Sequence, residues 1–401
     1  MLETNNDEFR KKQDEKHAKD GIDRNRLLKE FLHLTSFDAP SYHEREIADY
    51  LKKKLQSLGL KVEEDAAREA LLSEDASRSE TASNLYGYLK GNGTGKTILF
   101  SSHLDTVSPG IGKRAIVTEE GRITSAGDTV LGADDVSGLV SILEALTVIQ
   151  EKGLPHPDLE VLITVAEEPY CSGSRFVEYE RLRAREGYVL DLTGPVGTAA
   201  NAAPSILSMK VVIKGRAAHA GFAPEKGINA MSIAADALTH IRTGRVQEDL
   251  TVNFGTVRGG TGRNIVPQEV ILEGEIRCLE HERALCEAEL IRQIFEKAAK
   301  KYGGEIEFAL KEHIRSYHVS EERDVVKRFQ RAAYGIGHLE KPECITTYGG
   351  SDANRLNENG IETIVLACAM ENCHGTDEFT TIAELERSAQ LTLRLMSDIG
   401  S

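Results

Sequence analysis

The sequence predicts an α/β fold in which a mainly parallel sheet, flanked by helices, is interrupted by a smaller α+β domain. Three observations lead to this prediction: short apolar runs alternate with amphipathic helices, the alternation stops between residues 205 and 313, and it resumes afterwards. The 401 residues also exceed the roughly 100–200 residues of a usual domain, which favours two separate cores.

The composition excludes several classes of protein. Hydrophobic residues make up 40% and charged residues 28% of the chain, and 49 basic against 64 acidic side chains leave a net charge of −15, which argues against a nucleic-acid partner. No apolar run reaches the roughly 18–20 residues that span a bilayer, and the first residues do not resemble a secretory signal. We therefore expect a cytoplasmic protein without a membrane partner, whose six scattered cysteines are reduced thiols.

The apolar pattern before residue 205 predicts the first elements of the main domain. Residues 1–21 carry charges of both signs without apolar periodicity, which predicts a solvated extension. Apolar spacing then predicts two helices, around residues 27–32 and 47–58, the second ending at Gly59. The alternating pattern beyond them predicts strands at 85–89, 98–100, 159–165 and 188–190, and a long helix at 136–150.

A different order of elements occupies residues 205–313. The patterns predict a strand at 206–213, a helix at 227–241, strands at 251–257 and 269–277, a helix at 280–302 and a strand at 305–310. This β-α-β-β-α-β order is that of a ferredoxin-like domain, which can bury its own core. We expect an inserted domain at 205–313 between catalytic segments at 22–204 and 314–401, the latter with a helix at 324–334, strands at 344–347 and 361–367, and a helix at 382–396.

Polar residues stand where the predicted strands end. They are His103, Asp105, Asp134, Asp135, Glu167, Glu168 and Asp191. In open α/β sheets, ligands bind outside the carboxyl ends of the strands. His103 and Asp105 are two residues apart and share one side of an extended chain, so the carboxylate can orient an imidazole that ligates a metal. Each motif alone also has an ordinary interpretation, as a structural histidine, an acidic helix cap or a solvated turn.

The motifs gain meaning as a set. Adjacent carboxylates such as Glu167 and Glu168 repel each other unless a cation or a proton separates their roles, so that one can bind metal while the other takes a proton from water. His374 adds a second histidine in a turn before the last helix. Histidine nitrogens and carboxylate oxygens suit zinc, with cobalt or manganese as substitutes.

The motifs HLDTV, GADDVSG, AEEPYCSGS, YVLDLTG, GRAAHAGFAPEKGINA, GRNIVPQEV and NCHGTDEF, in this order, resemble those of the dinuclear zinc peptidases, the family that contains peptidase T, carboxypeptidase G and the aminoacylases. The likeness covers nearly all of the chain from residue 22 and is strongest to the peptidase T branch. It departs from many relatives at Val136, where they have lysine, and after the paired glutamates, where they are rich in glycine.

This resemblance implies specific roles. It implies that one metal is bound by His103 and Asp191, the other by Glu168 and His374, and that Asp134 bridges both. It further implies that Asp105 orients the ligand histidine, that Glu167 is the general base, and that the peptide bond between Asp134 and Asp135 is cis.

The inserted domain offers candidates for substrate binding. By resemblance, His219 reaches a catalytic site across a dimer interface or a closing cleft and helps to stabilise an oxyanion. Asn264 lies in a predicted turn, and Arg277 ends a predicted strand, where its guanidinium could bind a peptide carboxylate or carbonyl. A salt-bridged surface arginine is an equally good interpretation of Arg277.

The function expected from these residues is metal-dependent hydrolysis of an amide bond in small peptides, with release of the amino-terminal residue from tripeptides. The alternatives are a deacylase or carboxypeptidase acting on N-acyl amino acids or dipeptides, and a non-catalytic peptide-binding protein on the same scaffold. We expect two divalent metal ions, a small peptide substrate and a homodimer formed through the inserted domain.

Overall fold

The computed structural model describes residues 21–336 and 341–397. The extension predicted for residues 1–21 lies, apart from Gly21, outside the described residues. The described chain forms two compact units. The first contains residues 21–201, 319–336, 341–346 and 351–397, and the second contains residues 202–318 and 347–350.

The helices of the described chain are α1 (Arg24–Leu34), α2 (Arg45–Ser57), α3 (Ala67–Glu74), α4 (Ala133–Lys152), α5 (Ala230–Leu238), α6 (His281–Tyr302), α7 (Asp324–Ala333), α8 (Asp352–Glu358) and α9 (Ile382–Met396). The strands are β1 (Lys61–Glu64), β2 (Leu85–Leu89), β3 (Ile98–His103), β4 (Ala115–Val117), β5 (Arg122–Ser125), β6 (Leu159–Thr164), β7 (Glu186–Leu192), β8 (Thr198–Ala203), β9 (Ser205–Lys214), β10 (Gly244–Gln247), β11 (Leu250–Gly259), β12 (Glu269–Cys278), β13 (Glu305–Ile314), β14 (Tyr317–His318), β15 (Glu343–Thr346), β16 (Glu362–Ala367) and β17 (Phe379–Thr381).

The first unit is built on a mixed sheet whose centre is parallel. The strands lie in the order β1-β2-β6-β3-β7-β16-β8, and β15 also pairs with β8. Strands β6, β3, β7 and β16 run parallel to one another, which confirms the predicted α/β fold. Every residue of β3 and β6 is buried, as expected for a parallel sheet covered by helices.

Helix α4 is buried along most of its length and contacts both α1 and α9. Its first turn approaches the sheet closely, since a Cβ at Gly138 would lie 2.6 Å from the carbonyl oxygen of Leu190 in β7. The absence of a side chain at Gly138 therefore brings the start of α4 beside the end of β7. A small antiparallel sheet of β4, β5 and β17, which the sequence patterns did not predict, completes this unit.

The second unit has an antiparallel sheet in the order β10-β11-β12-β9-β13, and α5 and α6 pack against it. Apart from the short β10, the elements follow the predicted β-α-β-β-α-β order. Helix α5 ends at Leu238, three residues before the predicted end, and it starts later than predicted because the Asn229 side chain accepts hydrogen bonds from the backbone N–H groups of Met231 and Ser232. Alternate residues of β9 pack with α6 residues, Phe295 among them, in the core.

Two expectations concern the environment of the chain. Within residues 21–336 and 341–397, no helix has the length and apolar character needed to cross a bilayer. The cytoplasmic location stays a prediction. All six cysteines are free thiols, and Cys171, Cys278 and Cys368 are buried.

Candidate metal centre

The polar residues singled out in the main domain lie at one edge of the central sheet. His103 is the last residue of β3, Glu167 and Glu168 follow β6, and Asp191 lies near the end of β7. These three strands are adjacent and parallel, so their carboxyl ends bring the side chains together. Asp134 comes from the start of α4, and His374 from the turn between β16 and β17.

The His103 ring is fixed by a hydrogen bond to the main chain. Its Nδ1 lies 2.9 Å from the backbone carbonyl oxygen of Asp105, which can only accept, so Nδ1 carries the proton. Its Nε2 lies 3.0 Å from Asp134 Oδ1 and 3.8 Å from Asp191 Oδ1, and once it is deprotonated it is the nitrogen left to bind a metal. This is the tautomer that a histidine needs to ligate a metal through Nε2.

The Asp105 carboxylate contacts a different part of the site. Its Oδ1 lies 3.5 Å from His103 Nδ1, whereas its two oxygens accept hydrogen bonds from the backbone N–H groups of Glu167 at 2.9 Å and Glu168 at 3.2 Å. The hydroxyl of Ser41 donates a third bond at 2.7 Å. Asp105 therefore orients the histidine through its main chain and holds the paired glutamates through its side chain.

The Asp134 segment is held by an acid that the sequence motifs did not single out. The carboxylate of Glu378 accepts hydrogen bonds from the backbone N–H of Gly132 at 2.7 Å and of Asp134 at 2.9 Å. The peptide bond between Asp134 and Asp135 is cis, as the resemblance implied. The Asp135 carboxylate accepts from the Ser102 hydroxyl and from the backbone N–H of Gly138, so it supports the start of α4.

Asp134 lies between the two histidines. Its Oδ1 faces His103 Nε2, and its Oδ2 lies 3.3 Å from His374 Nε2. His374 Nε2 is also 3.1 Å from Glu168 Oε2. His103 belongs to two sets of potential ligand atoms, and within each set all the atoms lie within 4.8 Å of one another. One set adds Glu167 and Asp191, and the other adds Asp134 and Glu168.

Burial and mutual repulsion dominate the electrostatics of this cluster. Burial, with the neighbouring charges of Glu167 and Asp134, raises the pKa of Asp191 well above its ordinary value. Burial, with the charges of Asp352 and Glu168, raises the pKa of Glu167 in the same way. Hydrogen bonds to Asp134 and Glu168 raise the pKa of His374 to about 10. A concentration of buried carboxylates is an environment that divalent cations stabilise.

Three further acids and a thiol support the site without having been singled out from the sequence. Besides Glu378, the buried Glu44 accepts a hydrogen bond from the backbone N–H of Ala166 at 3.0 Å. Cys171 Sγ lies 3.2 Å from Glu167 Oε1, and the buried Asp352 lies within 4.8 Å of both side chains. Asp352 follows a serine at the start of α8. Because this pattern indicates an ordinary helix cap, the sequence alone does not mark Asp352 as part of a functional site.

The candidates of the second unit divide into two places. Nδ1 of the exposed His219 accepts hydrogen bonds from the backbone N–H groups of Gly221 and Phe222, both at 3.1 Å. The next residue, Ala220, donates its backbone N–H to the carbonyl of Asn264 at 2.9 Å, so His219 and Asn264 lie on neighbouring loops.

Arg277 lies at the opposite end of this sheet. It pairs with Ile206 at one end of β9, whereas the loops of His219 and Asn264 extend from the other end, where Lys214 pairs with Glu269. The eight residue steps from Ile206 to Lys214 span about 26 Å at roughly 3.3 Å per step. The Arg277 guanidinium is occupied by the Glu275 carboxylate at 2.7 Å and the Tyr348 carbonyl at 2.9 Å, which is the salt-bridged alternative left open above.

The chain belongs to the M20 family of metallopeptidases, close to peptidase T, as its fold and polar cluster indicate and its relatives establish. The family model described as "Peptidase dimerisation domain" matches residues 201–303, and that described as "Peptidase family M28" matches residues 84–202.

Individual relatives span almost the whole chain. A crystal structure of a tripeptidase from Staphylococcus aureus is 34% identical with a TM-score of 0.88, covering 94% of this chain and 99% of that one. A crystal structure of aminopeptidase PepT from Bacillus cereus is 36% identical with a TM-score of 0.86, covering 95% and 100%. The uncharacterized protein YqjE of Bacillus subtilis is 37% identical over 94% of this chain and 99% of its own length.

Proposed function

We propose that this metallopeptidase releases the amino-terminal residue of tripeptides, with two zinc ions held at the edge of the central sheet. The observation that carries the proposal is the position of Asp134, whose two carboxylate oxygens each face a different histidine nitrogen. A carboxylate in that position can bridge two cations. We assign His103 and Asp191 to one ion, and Glu168 and His374 to the other.

The residues fit such a group on chemical grounds. Glu168 Oε1 is buried and has no hydrogen-bond partner among the residues that the structure describes, an arrangement that a bound cation would satisfy. Two imidazoles and three carboxylates form a nitrogen and oxygen donor set that suits zinc. Three carboxylate charges would also offset most of the charge of two divalent cations.

The reaction follows from the positions of these side chains. Divalent cations, when bound, polarise a carbonyl and lower the pKa of a water molecule bound to them towards neutrality. We assign the proton transfers to Glu167, which is buried, adjacent to the ligand Glu168 and not needed as a ligand. Its carboxylate accepts the proton of the attacking water and delivers it to the amine of the leaving peptide. Burial raises the pKa of Glu167, so the carboxyl group can hold the proton between these two transfers.

The substrate class is supported by two relatives that span this chain and are described as a tripeptidase and an aminopeptidase. The second unit adds support for a homodimer. A tripeptide is only about 10 Å long when extended, whereas His219 and Arg277 of one copy belong to opposite ends of a strand about 26 Å long, so one tripeptide is too short to contact both. We therefore propose that a second copy supplies His219 and Asn264, while Arg277 is released by Glu275 to bind substrate.

The test compares a free tripeptide with its N-acetylated twin, using zinc-loaded protein and a chelator control. We expect chelator-sensitive release of the amino-terminal residue from the free peptide alone. Cleavage of the acetylated twin alone would assign the enzyme to the deacylases instead. Mixing a His219→Ala variant with an Arg277→Ala variant tests the dimer, because mixed dimers should regain one intact site.

A further inference from the structure

The geometry points to a third cation site in this protein, formed by Cys171, Glu167 and Asp352, at which a thiophilic divalent ion binds and inhibits the enzyme. This inference rests on the proposed function, because it takes Glu167 to be the general base. Excess zinc, or cadmium, would then regulate the enzyme through this site. Two of its three side chains, those of Cys171 and Asp352, have no part in the proposed dinuclear centre.

The three side chains are close together and shielded from solvent. Their ligand atoms all lie within 4.8 Å of one another, and Cys171 Sγ is 3.2 Å from Glu167 Oε1. The exposed fractions are 2% for Cys171, 7% for Glu167 and 2% for Asp352. Ligand atoms held roughly 2.0–2.3 Å from one tetrahedral ion lie about 3.3–3.8 Å from one another, so the longer of these distances would have to shorten by at most about 1.5 Å.

An unsatisfied oxygen gives independent support. Asp352 Oδ2 accepts a hydrogen bond from the Thr164 hydroxyl at 2.5 Å, whereas its Oδ1 makes no hydrogen bond of ordinary geometry within the described part of the chain. Burial raises the pKa of this carboxyl group, although the Ser174 hydroxyl is close enough to oppose that rise. A buried carboxylate oxygen without a partner is costly, and such atoms call for a ligand or an ion. A cation between Asp352 and Cys171 would supply the missing partner.

The backbone holds the thiol in place. Ala166, Tyr170 and Cys171 all have positive φ angles, which folds the segment after β6 back on itself. The backbone N–H of Cys171 donates to the carbonyl of Glu167 at 2.5 Å, and that of Ser172 donates to the carbonyl of Ala166 at 2.8 Å.

The ligand set determines which ions bind. One thiolate and two carboxylates provide three negative charges, and sulfur selects zinc or cadmium over magnesium, calcium and manganese. Binding displaces the thiol proton, and any proton on the two carboxyl groups, as H⁺, while the metal forms bonds to the sulfur and to the carboxylate oxygens. The Glu167 carboxylate becomes a ligand in the same step and can no longer accept a proton from water, so turnover stops.

The experiment titrates cadmium into enzyme already loaded with two manganese ions, following the thiolate-to-cadmium charge-transfer band in the ultraviolet together with tripeptide cleavage. We expect the band and the loss of activity to develop in parallel. Cys171→Ser should abolish the band, and Asp352→Asn should weaken cadmium binding by about 10- to 100-fold. Cys286→Ser, at an exposed thiol, and Cys373→Ser, beside the ligand His374, should both keep the band.

The outcomes separate the two proposals. A band that persists in Cys171→Ser, or a cadmium affinity that Asp352→Asn leaves unchanged, overturns the third site while peptide cleavage still supports the proposed function. An enzyme that shows the band but cleaves no tripeptide would retain the third site and refute the proposed function.

Discussion

Replacing Asp105 by asparagine tests how the candidate centre is held in shape. The fully buried carboxylate accepts three hydrogen bonds: Oδ1 from the Glu167 N–H, and Oδ2 from the Glu168 N–H and the Ser41 hydroxyl. Asparagine offers one oxygen and one NH₂ group. Whichever way its amide is turned, the NH₂ group faces one of the two backbone N–H groups and leaves that donor without an acceptor.

The magnitude follows from these contacts. A buried N–H left without a partner costs about 1–3 kcal/mol, and the remaining bonds lose the strength that the charge gave them, about 1 kcal/mol in all. We expect Asp105→Asn to lower the free energy of unfolding by about 2–4 kcal/mol. The turn that carries Glu167 and Glu168 should shift as well, which lowers kcat about 10- to 100-fold.

Urea unfolding of the metal-free protein and steady-state cleavage of a tripeptide measure the two effects. Ser41→Ala is the matched control, because it removes one donor but leaves both backbone N–H groups satisfied, and it should cost about 1 kcal/mol with little change in kcat. If Asp105→Asn unfolds at the wild-type urea concentration, the Asp105 carboxylate does not hold the turn, and the reasoning is refuted.

Three further predictions address the base, the pH dependence and the core. Glu167→Gln should keep both metals in an elemental assay and lose about 10²–10⁴-fold in kcat, whereas Asp134→Ala should lose metal as well. Burial and the charge of Asp105 raise the pKa of Glu44 to about 7 from an ordinary 4.5, so folding favours its protonated form and wild type loses stability as pH rises between those values. Glu44→Gln lacks this loss, so its unfolding free energy relative to wild type should rise by about 2–3 kcal/mol between about pH 4 and about pH 8, and a constant difference would contradict the assignment. Arg328→Met removes the buried guanidinium that lies 2.7 Å from the Glu186 carboxylate, although Lys96 still contacts Glu186. We expect the free energy of unfolding, measured in urea, to fall by about 2–4 kcal/mol.

Elements with strong patterns were predictable from the sequence. The last helix, α9, has the predicted bounds, because its apolar spacing continues to Met396 and the Thr381 side chain accepts a hydrogen bond from the Glu384 N–H at its start. Strand β8 was missed because its sequence, TAANAA, has neither β-branched runs nor alternation. Its pairing with neighbouring strands, β16 and β15 among them, makes it a strand.

The same distinction holds for the site. His103, Asp134, Glu168 and Asp191 were visible because each follows or precedes a recognisable apolar element, and the structure brings them together. Asp105 was also singled out, but the role of Glu378 and the bonds from Asp105 to the paired glutamates were not visible, because they involve backbone N–H groups whose directions depend on the folded chain. Likewise, no local pattern shows that Arg277 and His219 lie at opposite ends of one sheet.

The place where the chain leaves and re-enters the first unit has a consequence for the history of this fold. Asn201 and Val319 are joined by two hydrogen bonds at 2.8 Å, from the Val319 N–H to the Asn201 carbonyl and from the Asn201 side-chain amide to the Val319 carbonyl. The two ends are therefore neighbours across more than a hundred intervening residues. A short turn is enough to reconnect them, so one insertion at this point accounts for residues 202–318 and leaves the parallel strands β6, β3, β7 and β16 in place.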